Sequence, residues 1–227
     1  AGDGPARGAG RQMGQVVGGR EAVAAPDMGM AGTVQVDAAV RRARRADLHD
    51  AGHLGAQAAA HPAREVLVGG LGLGYTAQEV LRSTAVTRCD VVEFLPEVIG
   101  WMKNGLVPLS DELGSDPRLN VIEGDIYGQM AAPAEDQYDL ILIDVDHSPD
   151  EILADANEFF YTEAGLRSAK AHLKPGGLLG VWSYADSSPF ATALRAVFTH
   201  GDIEPVAFDN ELTGEHETNW LFLALND

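Results

Sequence analysis

Glu65-Val66-Leu67-Val68-Gly69-Gly70-Leu71-Gly72-Leu73-Gly74-Tyr75-Thr76, continued to Cys89-Asp90-Val91-Val92-Glu93, decides the fold. Its first four residues form a short apolar strand that runs into glycines. A helix is expected from Thr76 to Ser83, and the second strand, Cys89 to Val92, ends in the acid Glu93. Further along, Leu119 to Ile122, Tyr138 to Asp144, Leu178 to Trp182, Pro205 to Phe208 and Trp220 to Ala224 read as strands. Leu140-Ile141-Leu142-Ile143 is an apolar run suited to a strand covered on both faces. Helices are expected at Pro96 to Asn104, with proline in the first turn, at Thr162 to Leu173, stopped by Lys174-Pro175-Gly176-Gly177, and at Phe190 to Phe198. This alternation predicts an α/β domain over residues 61–227, with a mostly parallel seven-stranded sheet and helices on both faces.

Residues 1–60 are rich in glycine and alanine and read as an amino-terminal extension with one helix, from Asp37 to Ala60. Arg41, Arg42, Arg44 and Arg45 on that helix read as a solvated or intersubunit face. His49 and His53 lie one helical turn apart but have no evident third metal ligand. The chain carries 34 acidic and 16 basic side chains, a formal charge of −18 that repels nucleic-acid phosphates. No apolar run reaches the length of a membrane span, no leader pattern is seen, and Cys89, the single cysteine, cannot form an internal disulfide. These features lead to the expectation of a cytoplasmic protein with no nucleic-acid or membrane partner.

In an open parallel sheet, ligands sit outside the carboxyl ends of the strands. Glycines in the turn after the first strand let backbone approach a ligand and adopt positive φ. Glu93 is placed where a carboxylate accepts ribose hydroxyls, and Gly124-Asp125, after the third strand, offers a second carboxylate for an adenine amino group. The spacing Gly70-x-Gly72-x-Gly74 differs from the G-x-G-x-x-G that cradles a pyrophosphate. An adenosyl cofactor is therefore expected ahead of a nicotinamide or flavin dinucleotide, and ahead of a turn whose glycines serve packing alone.

These residues, with Tyr138 to Asp144 and Leu173 to Gly177, resemble the spermidine synthase-like branch of the class I S-adenosylmethionine-dependent methyltransferase folds, a Rossmann-like architecture. The resemblance covers residues from about 64 to 182. It implies that Gly70, Gly72, Leu73 and Gly74 pass beneath the methionine-like chain, that Glu93 holds the ribose, and that Asp125 and Ile126 frame the adenine. It further implies that Asp144, also beside the cofactor, helps deprotonate an attacking amine; family members are often dimers, so a homodimer is one of the oligomeric states left open. The cofactor implied is S-adenosylmethionine or its decarboxylated form, with no metal. Spermidine synthases carry an acid in the glycine turn that pairs with the aminopropyl ammonium of the decarboxylated cofactor, and here that place holds Leu73. Leucine leaves room for a carboxylate, so intact S-adenosylmethionine becomes the easier ligand. Residues 1–60 are also too short and glycine-rich to supply the family's amino-terminal β-sheet domain.

After the fourth strand, Asp144-Val145-Asp146-His147-Ser148-Pro149-Asp150-Glu151 gathers four acids and a histidine. Asp146 and Asp150 are candidates to hold a small, cationic substrate, and Asp144, Asp146 and His147 are candidate catalytic groups, His147 because imidazole is the side-chain type suited to exchanging protons near neutral pH. A magnesium-binding reading of this loop, as in catechol-type O-methyltransferases, lacks the acid it needs after the fifth strand, where Trp182-Ser183-Tyr184 stands. Asp150 and Glu151 can equally charge a helix start. Trp182 and Tyr184 are candidates for an apolar wall over the substrate, and Trp101 is expected in the core or at a subunit contact. The reading is a transferase that moves a methyl group to a small molecule. The alternatives are aminopropyl transfer to a polyamine and a non-catalytic nucleotide-binding subunit.

Overall fold

The computed structural model describes residues 64–210 and 214–227. The expected helix over 37–60, its arginines and the His49/His53 pair lie outside the described residues. Strands β1 (Glu65–Gly69), β2 (Arg88–Glu93), β3 (Leu119–Glu123), β4 (Tyr138–Ile143), β5 (Leu173–Ser183), β6 (His200–Asn210) and β7 (Glu215–Leu225) form one sheet in the order β3-β2-β1-β4-β5-β7-β6. The first five pair in parallel, while β7 runs antiparallel to both β5 and β6. The strand order reverses between β1 and β4, so the ends of these two strands flank the crevice where ligands bind in such sheets.

Helices α1 (Tyr75–Leu81), α2 (Pro96–Lys103) and α3 (Ser110–Ser115) cover one face of the sheet. Helices α4 (Ile126–Ala131), α5 (Glu163–Lys170) and α6 (Ser188–Val197), with a 3-10 helix at Asp155–Tyr161, cover the other. The two-residue period of a strand sorts side chains between these layers. Val66 and Val68 of β1 join Val80, Met102 and Leu113 in one core, and Leu67 joins Tyr127, Phe160 and Phe190 in the other. Cys89 is buried within β2, and burial pushes its thiol up to about 12, so it behaves as a small apolar residue.

Three local expectations change. Lys174-Pro175-Gly176-Gly177 does not stop a helix: α5 already ends at Lys170, and these residues lie inside β5. There Tyr138 pairs with Leu173 and Leu140 with Leu178, so the register shifts and the extra residues bulge outward. Strands β6 and β7 each run eleven residues, because they pair with each other beyond the end of β5. Trp101, expected in the core or at a subunit contact, is about half exposed on α2 and so lies outside the core. No helix among the described residues is long and apolar enough to cross a membrane.

Candidate functional site at the carboxyl edge of the sheet

The glycine turn is shaped by its neighbours. Gly70, Gly72 and Gly74 have φ of 94°, 49° and 92°, all in the left-handed region. A Cβ on Gly70 would strike the carbonyl oxygen of Asp144, and one on Gly74 would strike the Leu113 side chain. A Cβ on Gly72 would meet nothing within 4 Å among the described residues. Two glycines therefore seat the turn against protein, and the third leaves its outer side open. The Gly70 amide donates to the Val92 carbonyl at 2.9 Å, joining the turn to the end of β2.

Glu93 is 8% exposed and is held by two backbone amides. Its Oε2 accepts from the Leu71 amide and its Oε1 from the Leu95 amide, both at 2.9 Å. Each oxygen keeps lone-pair capacity, so the pinned carboxylate can accept ligand hydroxyls without first being ordered. Phe94 and Leu95, which follow it, are largely exposed and set apolar surface beside the acid. Sequence reasoning passed over them, although two apolar residues directly after a ribose-type acid are a legible signal.

Asp125 caps α4, its carboxylate accepting from the Tyr127 amide at 3.0 Å while remaining exposed. Ile126 is buried, its side chain against Gly69. Leu73 is half-buried in the turn. Three neighbouring strand ends thus bring together an open glycine, a fixed carboxylate, exposed apolar surface and a second carboxylate, where the sequence led to the expectation of an adenosyl group. The residues present fit that group.

Asp144 stands across the crevice from the turn, its amide donating to the Gly69 carbonyl at 3.0 Å. The Thr76 hydroxyl, in the first turn of α1, donates to Asp144 Oδ2 at 2.9 Å. Burial pushes the Asp144 carboxyl above the usual carboxylate range, and the Thr76 hydrogen bond offsets part of that rise. Oδ1 has no partner among the described residues.

The rest of the acidic loop divides by exposure. Asp146 is 2% exposed and turned into the protein, where it accepts from the Leu153 amide, the Asn157 side chain and the Tyr161 hydroxyl. His147, Asp150 and Glu151 are exposed, and the His147 carbonyl accepts from the Tyr184 amide at 3.0 Å. Tyr184 is 41% exposed, and the Glu151 carboxylate raises its phenol. Trp182, at the end of β5, is half-buried, and its buried indole N–H has no hydrogen-bond partner among the described residues. No helix begins at Asp150, because the next helical turn starts at Asp155. No group of three metal-ligating side chains is brought together among the described residues. Thr76, Asn157, Tyr161 and Tyr127 were not singled out from sequence. Only Thr76, a hydroxyl just inside the helix after a glycine turn, carried a readable hint. A cavity of about 360 Å³ between α2, α3 and β3 lies on the flank of the sheet, and none of the site residues above lines it.

Residues 49–198 match the family model described as the spermine/spermidine synthase domain. Polyamine aminopropyltransferase 2 of Streptomyces coelicolor is 31% identical over 132 residues, which cover 55% of this chain and 23% of that one. Putrescine N-methyltransferase 2 of Nicotiana attenuata is 30% identical over 127 residues, covering 56% of this chain and 32% of that one. The chain thus spans about a quarter to a third of the length of these two relatives. A spermidine synthase solved in complex with the transition-state analogue AdoDATO superposes with a TM-score of 0.58. That pair is 21% identical, and the match covers 74% of this chain and 56% of that one.

Proposed function

This chain belongs to the spermine/spermidine synthase domain family, and from that premise we propose that it is a transferase moving an alkyl group from an adenosyl sulfonium cofactor to a small amine, a methyl group in preference to an aminopropyl group. The observation that carries the choice of group is Leu73, half-buried in the glycine turn with no carboxylate in that turn. An aminopropyl ammonium there would lose its water without gaining a partner, which is costly for a full charge. A cofactor that keeps its carboxylate meets free backbone donors instead, since the amides of Gly72 and Leu73 make no hydrogen bond among the described residues.

In this reading Glu93 holds the ribose hydroxyls, Phe94 and Leu95 offer apolar surface to the purine, and Asp125 accepts from its amino group. When bound, the cofactor supplies a sulfonium-activated carbon for in-line attack. The chain prepares the other reactant. Asp144 Oδ1 takes a proton from the ammonium form of the amine, freeing the nitrogen lone pair, while Thr76 holds Oδ2 and so fixes the direction of Oδ1. His147, exposed on the same loop, relays that proton to solvent. Asp150 and the wall of Trp182 and Tyr184 receive the body of a cationic substrate, at a face where Glu151 adds further negative charge.

Aminopropyl transfer is the second reading, favoured by the names of several relatives. Incubating the protein with putrescine and either cofactor, followed by mass spectrometry of the amine, separates the two. Methylated putrescine supports our reading, and spermidine formed only from the decarboxylated cofactor replaces it with the second.

A further inference from the structure

Asp146 lies two residues beyond Asp144, yet it faces the interior. Its Oδ1 accepts from the Leu153 amide at 2.7 Å and from Asn157 Nδ2 at 3.0 Å. Its Oδ2 accepts from the Tyr161 hydroxyl at 2.9 Å and again from Asn157 at 3.2 Å. A carboxylate this buried persists only with such a set of donors. The arrangement ties together both ends of the loop, since Asp146 is near the end of β4 and Leu153 follows seven residues later. Asn157 and Tyr161 are four residues apart on the 3-10 helix and reach the same carboxylate.

A second hydroxyl extends the chain. The single phenolic proton of Tyr161 goes to Asp146, so Tyr127 donates to Tyr161, with 2.9 Å between the oxygens. Tyr127 is the second residue of α4, directly after the Asp125-Ile126 pair. A continuous hydrogen-bonded path therefore joins the start of α4, on the cofactor side, to the loop that carries Asp144 and His147, on the acceptor side.

We propose that Tyr161 and Asn157 are positioning residues for the transfer: through Asp146 they hold the loop so that Asp144 Oδ1 meets the attacking amine. Tyr127 extends the same anchor to the cofactor side. The inference rests on Asp144 being the proton acceptor. The Tyr161 ring packs edge-on against Phe160 and Phe190, each with 5.2 Å between centroids, so Tyr161→Phe keeps the packing and removes only the hydroxyl.

Hydrogen–deuterium exchange of peptides spanning residues 144–153, paired with steady-state kinetics on putrescine, tests this in the full chain. In Tyr161→Phe and Asn157→Ala, loop exchange should rise about tenfold while β1 exchange stays at the wild-type rate, as expected for losing the hydrogen bonds of one donor group to a buried charge. The kcat should fall about tenfold, with the cofactor KM within about twofold of wild type. Tyr127→Phe, which leaves all donors to Asp146 in place, should show a smaller loss of kcat than Tyr161→Phe. Unchanged loop exchange in both anchor variants would overturn the proposal, as would a kcat that stays at the wild-type value. A wild-type chain that binds no adenosyl ligand would instead sink the functional reading, and the exchange measurement would still decide the anchor by itself.

Discussion

The Thr76 hydroxyl donates to Asp144 Oδ2 at 2.9 Å, joining the first turn of α1 to the end of β4 across the crevice where the strand order reverses. The bond fixes one carboxylate oxygen, and the other has no partner among the described residues. Burial and Thr76 act on Asp144 in opposite senses, and burial is the larger effect. A carboxyl above its ordinary range is less stable as an anion in the folded protein than in the unfolded chain. Asp144 therefore costs stability that appears as pH rises through its unfolded pKa, about 3.9, and is complete above the folded value.

Asp144→Asn should accordingly stabilise the ligand-free protein at pH 8, with Tm up by about 2–4 °C, and the gain should vanish near pH 3. The same variant should lose about 10²- to 10³-fold in transfer, because an amide takes no proton. Calorimetric melts at the two pH values check the first part, and initial rates check the second.

Thr76→Val should move the acid limb of the kcat/KM profile upward. Asp144 works as a base only when ionised, so activity falls as pH drops through its pKa in the free enzyme. Removing the hydroxyl removes the one contact that lowers this pKa. A limb that stays in place or moves down in Thr76→Val would assign it to another group.

Gly70→Ala and Gly72→Ala should part company. The first drives a methyl into the Asp144 carbonyl and should destabilise the fold by more than the backbone strain of about 1–2 kcal/mol common to both. The second adds its methyl to open space, so the fold should lose only the strain, while adenosyl binding weakens by tenfold or more. Urea melts and ligand titrations on the two variants separate these outcomes.

How much of this was legible in sequence follows from residue patterns. Val66-Leu67-Val68 and Leu140-Ile141-Leu142-Ile143 announce buried parallel strands because both faces are covered, and Glu93 announces itself by closing the second. The helices α3 and α4 have six residues each, too few for a helical period to stand out. Pro175-Gly176-Gly177 looks the same after a helix as in a strand bulge, and only pairing with Tyr138 and Leu140 tells them apart. Asp146 read as a substrate contact because it shares a loop with Asp144. The partners that turn it inward come from Asn157 and Tyr161, eleven and fifteen residues later, on a 3-10 helix without a recognisable pattern. Register within a loop is set by such distant donors, which spacing along the chain does not encode.

The central claim is that the glycine turn, with Leu73 where spermidine synthases keep an acid, accepts the cofactor with its carboxylate intact. Isothermal titration of the wild-type protein and of Leu73→Asp with S-adenosylmethionine and its decarboxylated form tests it most directly. We predict that wild type binds S-adenosylmethionine at least about tenfold more tightly, a difference of about 1.4 kcal/mol, and that Leu73→Asp reverses the order. Tighter binding of the decarboxylated cofactor by the wild-type chain would contradict the account.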